Sequence, residues 1–325
     1  PGRQLARSYR GKPLRYSNTS GTTGRPLLLI QDIKDISYKY ASILRSRTVA
    51  SVDPLAAQVR VTPNECQPCL PGGDSPTRLN PLFNPANPAA LFMFLEKQVI
   101  NPLFHDRAML EPFWVGPDDT APVNYGEYLD KITAMKPEVL SLYPLYGVLL
   151  AKHIRRTGQA PPPISGLIDF SGGICSPAMV DFVTETFGVR TTQSCGGCEF
   201  ARYASSCPED PHRMHIAETY CYVETVRPDG TLCAPGELGN VIVTSLHSHA
   251  MPIIRLEPGD VARIIEDPCT CGRRSRRIQH EGRIQACMRV PDGRWVTGRE
   301  VWDRLLFVKG LELFQLVQRS IDRAL

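Results

Sequence analysis

Nine residues, Asn18-Thr19-Ser20-Gly21-Thr22-Thr23-Gly24-Arg25-Pro26, hold two glycines and four hydroxyl side chains, and the apolar run Leu27-Leu28-Leu29-Ile30 follows them. This pattern reads as strand, tight polar loop, strand. Gly21 and Gly24 permit backbone angles that a side chain forbids. Successive free N–H groups in such a loop form an anion-binding concavity, with Ser and Thr hydroxyls as added donors. The stretch is not a Walker loop, because no Gly-Lys-Ser/Thr ends it. A polar surface turn is the plain alternative.

The chain around it is long enough, at 325 residues, to bury a large core and to hold more than one structural unit. Hydrophobic content of 42% and charged content of 22% suit a globular protein, and a net charge of +4 is too small to point to nucleic acid or a membrane surface. No apolar run approaches the roughly 20 residues of a membrane span. Pro1-Gly2-Arg3-Gln4 is polar, shows no signal peptide and has no initiator Met, so the chain reads as a fragment or part of a longer protein. Eleven cysteines in so long a chain argue for reduced thiols, some of them metal ligands, and for the cytoplasm.

Local signals place the elements. Asp32 caps a helix over 33–47 whose apolar positions Ile33, Ile36, Tyr40, Ile43 and Leu44 repeat at helical spacing. Residues 48–122 are proline-dense and predict long loops, with a short helix near Ala89–Ile100. A helix at Tyr125–Met135, a buried strand at Glu138–Tyr143, a helix at Pro144–Arg156 stopped by Gly158, and a strand at Leu167–Phe170 follow. Ser176 and Pro177 then open a helix closed by Gly188. This alternation predicts a parallel sheet with helical crossovers. From His215 the pattern turns antiparallel, with strands at His215–Val226, Gly239–Leu246, Ile253–Leu256 and Val261–Ile265. The last part predicts a turn at Asp292-Gly293, a helix at Arg299–Leu306 and a strand at Leu311–Val317.

Four clusters carry chemistry. Ser171-Gly172-Gly173 lies between strand and helix, where two glycines let a flat ligand approach the backbone. In Cys195-Gly196-Gly197-Cys198-Glu199, a carboxylate on a glycine-rich turn suits Mg²⁺, which takes few protein oxygens alongside phosphate oxygens. Asp260 follows Pro258-Gly259 and offers hydrogen-bond acceptors only, and a lone Gly-Asp is more often just a turn. Cys269-Thr270-Cys271 with a distant Cys and His suits zinc, and reduced packing is the alternative. Cys66-Gln67-Pro68-Cys69 has no matching pair and reads as a loop.

Thr19–Pro26 resembles the phosphate-loop signature of the adenylate-forming enzymes: acyl-CoA synthetases, luciferases and adenylation domains. The chain looks most like their phenylacetate-CoA ligase branch. The resemblance extends to Ser171, Gly172 and Gly173 beside adenine, to Gly196 and Glu199 in a motif whose first, aromatic position is Cys195 here, and to Pro252-Ile253-Ile254-Arg255 with Gly259-Asp260 at the ribose. Pro235–Gly239 is a further marker, and Gly282-Arg283 matches the interdomain hinge, although Ile284-Gln285-Ala286 replace the acidic residues that follow it. Cys269, Thr270, Cys271, Gly272 and Arg273 resemble the zinc-bearing members, which implies Cys207 and His215 as the remaining ligands, with His212 a rival. Three thiolates and one imidazole make a closed, structural site.

The resemblance implies an α/β fold: the large domain of an adenylate-forming enzyme, with a mixed or parallel sheet, helical crossovers and a smaller antiparallel β subdomain. Residues 1–283 would be that domain, with the β subdomain at about 207–280, and 284–325 the hinge and the start of a truncated or incomplete C-terminal domain. It implies ATP, Mg²⁺, structural Zn²⁺ and CoA. A carboxylic acid, aryl or arylalkyl, becomes an acyl-adenylate and passes to CoA. Ser20, Gly21, Thr22, Thr23 and Gly24 cradle phosphates, and Thr22, Thr23 and Glu199 are the catalytic set. An amine acceptor is the alternative, a non-catalytic zinc-stabilised binding protein a second, and a homodimer is left open. The run Arg273, Arg274, Arg276, Arg277 meets CoA phosphates or is a solvated surface. The lysine that the family carries in its C-terminal domain has no counterpart: Lys309 is the only lysine after Arg283 and its context does not match.

Overall fold

The computed structural model describes residues 5–10, 12, 14–19, 27–61, 106–110, 123–311, 314–320 and 323–324. Loop residues 20–26, the pair Cys66 and Cys69, and the helix expected near Ala89–Ile100 lie outside them.

β1 (Arg15–Asn18) and β2 (Leu28–Gln31), the strands expected on either side of the polar loop, pair antiparallel. α1 (Ile33–Val49) follows, its first turn capped by Asp32, whose Oδ1 accepts from Asp35 N at 2.7 Å. Its orientation departs from the apolar-stripe expectation. Ile33 is 62% exposed, whereas Asp35, Ser46 and Arg47 are buried with Ile36. The helix turns a polar stripe inward because polar partners wait there: Arg202 Nη1 donates to Ser46 Oγ at 2.9 Å and Ser248 Oγ donates to Asp35 at 3.0 Å.

β3 (Gln58–Val61) and β4 (Asp106–Leu110) correct the long-loop expectation for part of 48–122, since both are parallel strands of the main sheet. α2 (Tyr125–Met135), β5 (Val139–Leu142), α3 (Pro144–Thr157), β6 (Leu167–Ser171) and α4 (Pro177–Phe187) fall where local signals put them. Gly158 and Gly188 take φ of +75° and +66° as left-handed caps, and Ser176 Oγ accepts from Met179 N. β7 (Thr191–Gly197), β8 (Ala201–Cys207), β9 (Asp210–Ile216), β10 (Cys221–Val226), β11 (Leu238–Ser245), β12 (Asp260–Ile265) and β13 (Arg277–Arg283) complete the sheet.

Among the described residues the sheet has eleven strands in the order β10-β11-β12-β13-β9-β8-β7-β6-β5-β3-β4. From β4 to β7 the pairing is parallel, and from β7 to β10 antiparallel. The fold is therefore α/β with a large mixed sheet. One apolar cluster, including Leu140, Leu142, Leu150, Ile168 and Phe170, fills the space between the parallel strands and α2–α4. A second, including Leu29, Phe200, Tyr203, Met214, Val223 and Val243, lies on the antiparallel part.

Three strand expectations are corrected. The run His215–Val226 is two strands, because Tyr220 N bonds Ala217 O at 2.7 Å and turns the chain. Ile253–Leu256 is an isolated bridge from Leu256 to Val243, broken by a φ of +50° at Arg255. Residues 314–317 are irregular, with Leu316 and Val317 exposed. After two short strands, β14 (Met288–Arg289) and β15 (Trp295–Val296), comes α5 (Gly298–Leu305), closed at its start by a capping box of Thr297 and Glu300. Leu306 just after it joins the first apolar cluster.

Candidate active site

Two sequence clusters meet at the carboxyl ends of neighbouring parallel strands, where α/β sheets bind ligands. β6 and β7 pair with Ser171 opposite Ser194, so Ser171-Gly172-Gly173 lies beside Cys195-Gly196-Gly197. Gly172 has φ +84°, and a Cβ there would meet the Tyr143 ring at 2.7 Å. That position accepts glycine alone, and it keeps the strand end flat.

β7 and β8 form a tight hairpin around Glu199. Phe200 N donates to Gly197 O at 3.2 Å, Ala201 takes a left-handed φ of +48°, and Phe200 is buried. A Cβ on Gly196 would lie 1.5 Å from Ala201 O, and one on Gly197 would lie 2.5 Å from Glu199 Oε2. Gly196 is thus required, because the clash there is with backbone, whereas at Gly197 only the Glu199 side chain, which folds over it in the half-buried turn, would have to move.

Asp260 reaches the same hairpin through Tyr203. The Tyr203 hydroxyl donates to Asp260 Oδ2 at 3.2 Å, and His280 Nε2 and Arg283 Nε lie 3.4 and 3.3 Å from Oδ1. Burial pushes the Asp260 carboxyl up, but the hydrogen bond and charge of His280, then Arg283 and Tyr203, together hold it below the ordinary aspartate range. Burial, then the charge of Asp260, raises the Cys195 thiol, against the lowering effect of a hydrogen bond with Tyr203. Burial likewise raises the Tyr203 hydroxyl, ahead of Cys195 and Asp260. Cys195 and Asp260 are therefore gathered around one buried tyrosine, with Arg283 on the other oxygen of Asp260.

Thr19 closes the base of the polar loop: its N–H donates to Leu27 O at 3.0 Å and its Oγ1 accepts from Leu27 N at 2.9 Å. Ser20, Gly21, Thr22, Thr23 and Gly24 lie outside the described residues.

Cys207, His215, Cys269 and Cys271 form a separate cluster whose donor atoms all lie within 4.8 Å of one another. Cys207 ends β8, His215 sits on β9, and the other two occupy the turn after β12, where Gly272 has φ +77°. Cys207 Sγ is 3.7 Å from Cys269 Sγ, and Cys271 Sγ is 3.3 Å from His215 Nε2. His215 Nδ1 is 3.0 Å from Ser275 Oγ, which orients the ring with Nε2 toward the thiols. Burial, then the Arg273 charge, lowers the His215 pKa and favours the neutral imidazole that ligates metals. Burial pushes the Cys207 thiol up to about 11. The donor set fits a tetrahedral Zn²⁺ site. His212 stands apart from it, 3.3 Å from Asp181.

The arginine run divides. Arg277 is buried and donates to Asp210 at 2.7 Å and to Asp267 O, while Arg276 pairs with Glu218 at 2.7 Å. Arg277 is thus neither a solvated residue nor open to a phosphate. Tyr203, His280 and Lys39 (Nζ 3.0 Å from Cys198 O) contact residues of the candidate site and were missed by motif reading, since no local pattern marks them. A cavity of about 330 Å³ bounded by Tyr125, Phe182, Phe307 and Lys309 lies elsewhere and shares none of these residues.

No family model matches the chain. Over 148 residues, or 44% of its length, the chain is 32% identical to the phenylacetate-coenzyme A ligase of Thermus thermophilus, and it spans 33% of that enzyme. Among solved structures, 2-hydroxyisobutyryl-CoA ligase in its postadenylation state aligns with a TM-score of 0.69 at 18% identity, over 99% of this chain and 61% of that one. The anthranilate CoA ligase bound to anthranoyl-AMP aligns with a TM-score of 0.59 at 19% identity, over 92% and 52%. The chain has the fold of the adenylate-forming enzymes. Its curated sequence relatives are phenylacetate-CoA ligases, and it spans between 33% and 38% of the length of each.

Proposed function

We propose that the chain carries the adenylating part of an AMP-forming ligase that joins a carboxylic acid to CoA. The observation that carries this reading is the convergence of Gly172, the Glu199 hairpin and Asp260 at the carboxyl ends of β6 and β7, with Tyr203 linking them. Ser171-Gly172-Gly173 would face adenine, and Asp260, held by Tyr203, His280 and Arg283, would accept from the ribose hydroxyls. Ser20, Gly21, Thr22, Thr23 and Gly24, in the polar segment between β1 and β2, would hold the phosphates. A single carboxylate on a turn is the donor that Mg²⁺ takes alongside phosphate oxygens, so Glu199 would hold it. Bound there, Mg²⁺ would neutralise phosphate charge. The protein's own contribution is positioning and charge stabilisation, as the carboxylate oxygen attacks the α-phosphorus and pyrophosphate leaves.

The substrate class we propose is an aryl or arylalkyl acid, in line with the phenylacetate name of the curated relatives. Cys207, His215, Cys269 and Cys271 would hold one structural Zn²⁺, tying the ends of β8 and β9 to the turn before β13. Residues 284–325 would form the hinge and the beginning of the small domain, and the compartment would be the cytoplasm, where thiols stay reduced.

Pyrophosphate release over a panel of aryl, arylalkyl and short aliphatic acids, with CoA, with an amine or with neither, tests the reading. Acid-dependent release and a CoA thioester product support it. Release with amide formation moves the acceptor to an amine, and nucleotide binding without release makes the chain a binding protein.

A further inference from the structure

We propose that Lys39 is a positioning residue for Glu199, fixing the Glu199 hairpin through the backbone carbonyl of Cys198. The inference rests on the reading of Glu199 as the magnesium carboxylate and adds a residue of the helix that follows the phosphate loop.

Lys39 lies on the inward polar stripe of α1, and its side chain is 11% exposed. Nζ donates to Cys198 O at 3.0 Å, across 159 residues of sequence. It also lies 3.4 Å from Asp35 Oδ2. Asp35 is itself held, by Ser248 Oγ at 3.0 Å and Gln31 Nε2 at 3.2 Å. The ammonium is thus clamped between a fixed carboxylate and the peptide just before Glu199.

A buried ammonium is costly unless paired and hydrogen-bonded. Burial lowers the Lys39 pKa, and the neighbouring Asp35 charge opposes that shift. An apolar side chain would fill the same space without that cost, so the charge needs a role at this place.

The hairpin supplies one. Its turn is strained at Ala201 and has no side-chain room at Gly196, where a Cβ would meet the Ala201 backbone, so its shape depends on what grips it from outside. Phe200 anchors one side in the apolar cluster, and Lys39 grips the other at Cys198 O. Because α1 begins directly after β2, a helix fixed to that strand sets where the carboxylate stands. A metal ligand displaced by about 1 Å loses much of its effect.

The test is Mn²⁺ affinity, followed by electron paramagnetic resonance with the protein saturated by a non-hydrolysable ATP analogue, beside the analogue's affinity without metal. Lys39→Met should weaken Mn²⁺ binding about tenfold, the scale of one charge-assisted hydrogen bond. Metal-free nucleotide affinity should stay unchanged and Lys39→Arg should recover most of the loss. Unchanged Mn²⁺ affinity in folded Lys39→Met overturns the inference, as does a parallel loss of both affinities. Should Lys39→Met not fold, Lys39→Met with Asp35→Asn, which removes both buried charges, carries the same expectation. Glu199→Gln separates the two readings. If it binds Mn²⁺ as tightly as the parent, the reading of Glu199 fails and the inference with it. If it weakens binding while Lys39→Met does not, the role of Lys39 alone is wrong.

Discussion

The hydroxyl of Tyr203 on β8 donates to Oδ2 of Asp260 on β12 at 3.2 Å, joining two strands that are not neighbours in the sheet. The pair fixes a carboxylate at the place proposed for ribose and leaves Oδ1 to His280 and Arg283. Tyr203→Phe keeps the packing and deletes the hydroxyl. ATP affinity should fall about fivefold, the worth of roughly 1 kcal/mol, with thermal stability changed far less than in Asp260→Ala. Isothermal titration and thermal unfolding of the two variants check this.

His280 should govern how Asp260 responds to acid. The folded-state pKa of Asp260 is depressed below its unfolded value, with His280 the main group opposing burial. The unfolded chain therefore binds the proton more readily, so this carboxylate's contribution is present above the ordinary aspartate pKa. It is lost as pH falls through the depressed value. Replacing His280 by Gln should raise the folded pKa and move the acid unfolding midpoint to higher pH. Circular dichroism between pH 2 and 7, a range of about five units around the aspartate value, reads the shift.

Zinc content tests the thiol cluster. Protein purified without added metal should carry about one zinc per chain, as a closed Cys₃His site does. Cys269→Ser, Cys271→Ser and His215→Ala should lose it and lower the melting temperature. His212→Ala should keep it, because His212 faces Asp181 rather than the thiols. Elemental analysis of the four variants decides the ligand set, and well-folded parent protein free of zinc rejects it.

The phosphate loop predicts a loss confined to nucleotide. Thr22→Ala with Thr23→Ala should reduce ATP affinity or adenylation about tenfold, the scale of one or two charge-assisted hydrogen bonds. Zinc content should not change, since the thiol cluster draws on β8, β9 and the turn after β12. Equal affinity in the double variant and the parent rules the loop out.

Gly172 should tolerate no side chain. Its φ is +84° and a Cβ would meet the Tyr143 ring at 2.7 Å. Gly172→Ala should cost about 1–3 kcal/mol of stability, from left-handed strain and overpacking. Chemical denaturation measures the cost, and a neutral result would mean that Tyr143 moves aside.

What the amino-acid order determined alone is whatever depends on near neighbours. Ser176 and Pro177 open α4 and Gly188 closes it, because caps are satisfied within a turn or two of chain. The glycine-rich ends of β6 and β7 were legible for the same reason, and motif order pointed to the fold. Tertiary structure decided what depends on distant partners. The strands β7, β8 and β13 carry cysteines, glycines and arginines rather than an apolar alternation, and only pairing across the sheet makes them strands. The inward face of α1 followed Arg202 and Ser248, not the apolar stripe, because a buried polar group goes where its bond is met. His215 rather than His212 joined the thiols because an odd spacing along β9 sends the two rings to opposite faces of the strand. Tyr203, His280 and Lys39 carry no motif at all. Each acquires its role from a contact made between distant parts of the chain, and such contacts exist only once the sheet has set their separation.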